Sequence, residues 1–137
     1  MSRTKIEFNA KKIDRIQGLD DLAVLLFPSN RRCQRVFLAI FVELKYADAG
    51  FIPYLKPFCE KYEFSPRMLE TVRSKMRRLG LIDHISRFSQ SHGYREGWVL
   101  STRFSHSLNR LAELTQDFKD KKESLQERKD WDLFRYI

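Results

Sequence analysis

The chain has 137 residues, 42% hydrophobic and 32% charged, with a net charge of +8. That size suits one domain whose core needs no disulfide staples, and that composition excludes an intrinsically disordered chain. The longest apolar run, residues 36–42, is far too short to cross a membrane, and residues 1–10 hold no signal-peptide core, so a soluble, cytoplasmic protein is expected.

The basic excess is uneven. Residues 1–64 carry 11 basic and 8 acidic side chains, residues 65–110 carry 9 and 3, and residues 117–137 carry 6 of each. The middle segment is where a polyanion would be drawn. Cys33 and Cys59 stand 26 positions apart, with no CxxC spacing. Both fall on apolar faces of predicted helices, where a free cysteine acts as a small hydrophobe, and a reducing compartment fits them best.

Residues 4–9 alternate around Ile6 and Phe8 and predict a short edge strand or an ordered arm. Ile13, Ile16 and Leu19 have helical spacing. Leu22, Leu25, Leu26 and Phe27 predict a second short helix that Pro28 ends. Ser29 or Asn30 caps the next helix, over 30–48. Its apolar positions, Cys33, Val36, Phe37, Ile40, Phe41 and Leu44, are widened by Leu38, Ala39 and Val42, as in a central core helix. Arg31, Arg32 and Arg35 cluster at its N-terminal end, against the helix dipole, so they point to solvent, an acidic neighbour or a ligand. The 11 phenylalanines predict a core rich in aromatic side chains.

After Gly50, Phe51-Ile52 predicts a very short strand. Pro53 then suits the first position of a helix through Tyr62, with Leu55, Phe58, Cys59 and Tyr62 inward. Glu63-Phe64 is a turn. Ser65 and Pro66 are a cap and first position for a third helix, which Gly80 closes. Leu69, Val72, Met76 and Leu79 form its core stripe. Arg67, Thr71, Ser74 and Arg78 lie opposite, flanked by Glu70, Arg73, Lys75 and Arg77.

Ile82, His84 and Ile85 open a strand, residues 89–97 predict a hairpin loop relaxed by Gly93 and Gly97, and Trp98-Val99-Leu100 returns. Ser101 or Thr102 caps a last long helix. Phe104, Leu108, Leu111, Phe118 and Leu125 make a heptad-like seam there, interrupted at Thr115 and Lys122, before an apolar end at Trp131, Leu133, Phe134, Tyr136 and Ile137.

The predicted class is mainly α with a small antiparallel β-hairpin (α+β). The order helix, short strand, helix, turn, basic helix, hairpin, helix is that of a winged helix. Leu69, Val72, Met76 and Gly80-Leu81-Ile82, with Trp98-Val99-Leu100-Ser101-Thr102 entering a helix, resemble the recognition helix and second wing strand of the multiple-antibiotic-resistance-type (MarR-type) regulators. Met76 stands where that family has Leu, its wing motif is matched loosely by residues 93–97, and Phe104-Ser105 replaces its post-wing glycine.

The resemblance covers roughly residues 30–116 and implies a winged helix-turn-helix, set at 30–101; an N-terminal extension over 1–29 precedes it, and the apolar stripe of the helical extension over 102–137 makes that extension the expected dimerisation element. The expected function is sequence-specific binding of double-stranded DNA by a homodimeric transcriptional regulator. The alternatives are a winged-helix protein-interaction module and a replication or plasmid-maintenance DNA binder. Arg67, Thr71 and Ser74 are the expected base readers, and Arg73, Lys75, Arg77 and Arg78 the phosphate contacts. On the wing, Arg87, His92 and Arg95 are expected to reach backbone or minor groove.

His84, His92 and His106 lack metal-ligand spacing, and no phosphate-binding loop or nucleophile elbow is present. No enzyme activity, metal or cofactor is therefore expected, and nothing in the residues defines an effector. Aromatic side chains can also bind single strands, but most here sit at core spacing.

Overall fold

The computed structural model describes residues 5–91, 93–121 and 124–137. The chain divides into two units, Met1–Phe104 and Ser105–Ile137.

In the first unit, Asn9 caps α1 (Ala10–Asp14), its side-chain oxygen accepting the Lys11 and Lys12 amides. Residues 5–9 form an arm rather than a strand. One hydrogen bond, from the Glu7 amide to the Leu25 carbonyl, ties it to α2 (Leu19–Leu26). The Asp21 carboxylate reaches back to the Gln17 and Gly18 amides and starts that helix. Asn30, not Ser29, caps α3 (Arg31–Lys45) by accepting the Cys33 amide.

Val36, Phe37, Ile40 and Leu44 of α3 are fully buried, so the broad apolar face does mark the central helix. Ala23, Leu26 and Phe27 of the N-terminal segment join the same core, and the Phe27 and Phe37 rings lie 5.9 Å apart. The segment set apart as an extension therefore covers one side of α3.

After a 3-10 turn at Asp48–Gly50, β1 (Phe51–Ile52) runs antiparallel to the third strand, Phe51 facing Val99 and Ile52 facing Trp98. That pairing keeps the chain extended through residue 52. Pro57, not Pro53, is consequently the first residue of the next helix, α4 (Pro57–Lys61). Glu63 turns the chain at a φ of 58°, and Ser65 caps α5 (Pro66–Leu79) by accepting the Met68 amide. Gly80 ends α5 with φ 86°, and a Cβ there would stand 2.9 Å from the Phe104 nitrogen. Only glycine meets both demands.

Two eight-residue strands follow, β2 (Ile82–Ser89) and β3 (Gly93–Leu100), giving a three-stranded antiparallel sheet in the order β1-β3-β2. The expected long loop over 89–97 is thus mostly strand. The ladder runs out to Ser89 opposite Gly93, and Gly93, at φ 69°, takes the left-handed position of a short turn. Gly97 does not relax a turn at all. It lies inside β3, where β1 crosses against its bare α-carbon.

Arg103 brackets the far end of this unit. Its guanidinium pairs with Asp83 and donates to the carbonyls of Arg77 and Ile82, joining the end of α5, the start of β2 and the start of α6 (Arg103–Lys119). The bond from Arg103 holds the Asp83 carboxyl below its usual range. Its stabilising contribution is therefore present above the unfolded carboxylate pKa and lost as pH falls through the lowered folded one.

In the second unit, the single long helix expected here is two. α6 stops at Lys119, and α7 (Ser124–Asp132) leads into a 3-10 turn at Leu133–Tyr136. None of these three elements buries a residue among those described. Leu111, Phe118, Leu125, Trp131 and Phe134 are exposed, the last two rings stacked 5.8 Å apart. No helix among the described residues is long and apolar enough to cross a membrane.

Candidate nucleic-acid interface

α5 divides cleanly. Leu69, Val72 and Met76 are buried in the core, while Arg67, Thr71, Arg77 and Arg78 are exposed. The Thr71 hydroxyl donates to the Arg67 carbonyl at 3.0 Å, one turn back. Ser74 is half-buried, and its hydroxyl donates to Glu70. Glu70 also pairs with Arg73, whose hydrogen bond is the main reason the Glu70 carboxyl is held below its usual range. Ser74 and Arg73 are therefore engaged in a local network, and of the expected base readers Arg67 and Thr71 are the two exposed ones.

Trp98 organises the cations beside them. The Arg73 guanidinium lies 4.9 Å from its ring centroid, and Arg77 lies over the same ring at 6.0 Å. The sequence marked Trp98 only as part of a returning strand. Its role as a platform depends on β3 lying beside α5, which no local pattern reveals.

Lys75 corrects the sequence reading. It was expected to hold a phosphate, but only 8% of it is exposed. Its ammonium donates to the Leu26 carbonyl and sits 4.6 Å above the Phe27 ring. Lys75 follows Val72 by three residues, so it borders the buried stripe, and the N-terminal segment closes over it. Burial pushes its pKa below the ordinary lysine value. Lys75→Ala should thus act on stability, at a cost of about 1–3 kcal/mol for the lost packing and the unpaired carbonyl. Thermal melting should register that loss, while the affinity of the folded protein for any polyanion stays unchanged.

On the hairpin, Arg87 and Arg95 are exposed and face each other directly across the ladder. His92 lies outside the described residues. Arg31, Arg32 and Arg35 add to the picture. All three are exposed at the N-terminal end of α3, and Cys33 Sγ lies 3.8 Å from Met68 Sδ. That contact brings the first turn of α3 against the first turn of α5. Burial raises the Cys33 thiol pKa, against the opposing pull of Lys75, which suits a packing role. Among the described residues no three His, Cys, Asp or Glu side chains gather into a possible metal site.

No protein-family model, no curated protein and no solved structure matches the chain.

Proposed function

We propose that this is a winged-helix protein that binds double-stranded DNA, with α5 in the major groove and the β2–β3 hairpin as the wing. One observation carries the reading. α5 is anchored in the core by one face and presents Arg67, Thr71 and Arg78 on the other, while Glu70 is occupied by Arg73. A capped helix held that way fits a major groove, with its first turns at the base edges. In this reading the exposed Arg77, Arg78, Arg31, Arg32 and Arg35 grip flanking phosphates, and Arg87 and Arg95 give the hairpin a cationic face.

The reading includes a homodimer acting in transcriptional regulation. One such module reads a short site, and two-fold pairing doubles it. The second unit supports this pairing, because its helices carry exposed apolar side chains with no core of their own. Light scattering should report a dimer at micromolar concentration, and a chain ending at Thr115 should be monomeric. A monomeric full-length protein, or a dimeric truncated one, would remove the second unit from that role.

The function itself is tested by selection from a random duplex library. Two inverted half-sites, about one helical turn apart, should be enriched. Recovery of no sequence preference would contradict specific recognition.

A further inference from the structure

The hairpin is two-faced in an unexpected way. Cross-strand partners share a face of a β-ribbon. Trp98 pairs with His84, Glu96 with Ser86, and Tyr94 with Phe88, so Phe88 and Tyr94 share the face of Trp98, which meets α5 through Arg73 and Arg77. Arg87 and Arg95 occupy the opposite face. β1 pairs only as far as Trp98, so residues 86–89 and 93–96 run on without a third strand, a reach of about 14 Å at the usual rise of a strand.

This arrangement is wrong for a wing that only grips phosphates. Such a wing would turn its cations toward the duplex held by α5. Here that face carries two aromatic rings, Phe88 77% exposed and Tyr94 64% exposed. The Tyr94 hydroxyl donates to Glu96 at 3.1 Å and lies 3.0 Å from Ser86 Oγ, which fixes the ring along the ribbon. On the other face two arginines stand directly opposite each other, a like-charge pair that costs stability unless an anion lies across it. Neither has an ion-pair partner among the described residues.

Resting on the DNA-binding reading, we propose that the hairpin is a wedge for the end of a duplex. Unpaired bases of one strand stack on Phe88 and Tyr94, while the backbone of the other strand runs over Arg87 and Arg95. Exposed rings beside a cationic ribbon suit nucleobases, since every base offers a π-face and every nucleotide a phosphate. The preferred ligand is then a junction between duplex and single strand rather than uninterrupted duplex.

The test uses the full-length protein and one duplex in two forms, blunt and opened at one end into short unpaired arms. Fluorescence anisotropy at a single salt concentration should show about tenfold tighter binding to the opened form. A 2-aminopurine at the first unpaired position should be quenched on binding. The double variant Phe88→Ala/Tyr94→Ala should bring the two affinities to within about twofold by losing the stacking alone, and Phe88→Trp should keep the preference. Equal binding of both forms by the natural protein, or a preference that survives the double variant, overturns the wedge and leaves the DNA reading standing. Binding to neither form overturns both.

Discussion

Replacing Gly97 by valine should destabilise the first unit by about 2–4 kcal/mol, lowering its melting temperature by about 10 °C or more. A Cβ at Gly97 would stand 2.6 Å from the Ile52 carbonyl oxygen, 2.7 Å from the Phe51 ring and 2.8 Å from the Pro53 α-carbon. Two of these are backbone atoms and cannot swing aside. β1 would be pushed off β3, and with it the connection that sets where α4 begins. Gly93 is the matched contrast. It has nothing within 4 Å, so Gly93→Ala should cost only about 1 kcal/mol, for its left-handed φ. Circular dichroism melts of the two variants separate crowding from backbone strain. Equal losses would contradict this account of Gly97.

Charge reversal at Arg67 should produce the largest loss of DNA binding. Arg67 is exposed in the first turn of α5, the turn whose Met68 meets Cys33 at the start of α3. A glutamate there removes one charge-assisted contact and adds repulsion against phosphate. Arg67→Glu should therefore weaken binding by about 100-fold, the equivalent of about 2.7 kcal/mol. Lys45→Glu changes net charge equally, at the other end of α3. It should weaken binding by no more than about threefold, because exposed charges beyond a Debye length are screened. Equal effects of the two reversals would mean that attraction is diffuse and that α5 is not the reader.

Much of this fold was legible locally. The Ser65–Pro66 start and Gly80 end of α5 follow from capping chemistry, and the i, i+3, i+4 spacing of Cys33, Val36 and Phe37 gave the central helix. The misses in the first unit share one cause, contacts distant in sequence. Lys75 reads as surface because its neighbours are Ser74 and Arg77, yet Leu26 and Phe27, far earlier in the chain, bury it. Gly97 and Tyr94 read as loop because residues 89–97 are polar and glycine-bounded. The register with β2, and the approach of β1, make that stretch a strand. Placing Tyr94 in a loop also hid its pairing with Phe88, the two aromatic rings of the ribbon that core spacing does not explain. In the second unit the seam of Leu108, Leu111 and Phe118 was visible, but the break after Lys119 was not, since no proline or glycine marks it.

The central claim is that α5 and the start of α3 bind duplex DNA through their exposed arginines. The most direct test is a titration of the full-length protein with labelled duplex DNA across a series of salt concentrations. Arg67 and Arg77 of α5 and Arg31, Arg32 and Arg35 at the start of α3 are exposed, while Lys75 is buried and Arg73 and Arg103 are paired with carboxylates. Neutralising about four or five phosphates per protomer gives a slope of log affinity against log salt of about −4 per protomer. A slope of that size, reduced by about one unit in Arg77→Ala and unchanged in Lys75→Ala, is the predicted result. Absence of duplex binding even at low salt would contradict the claim.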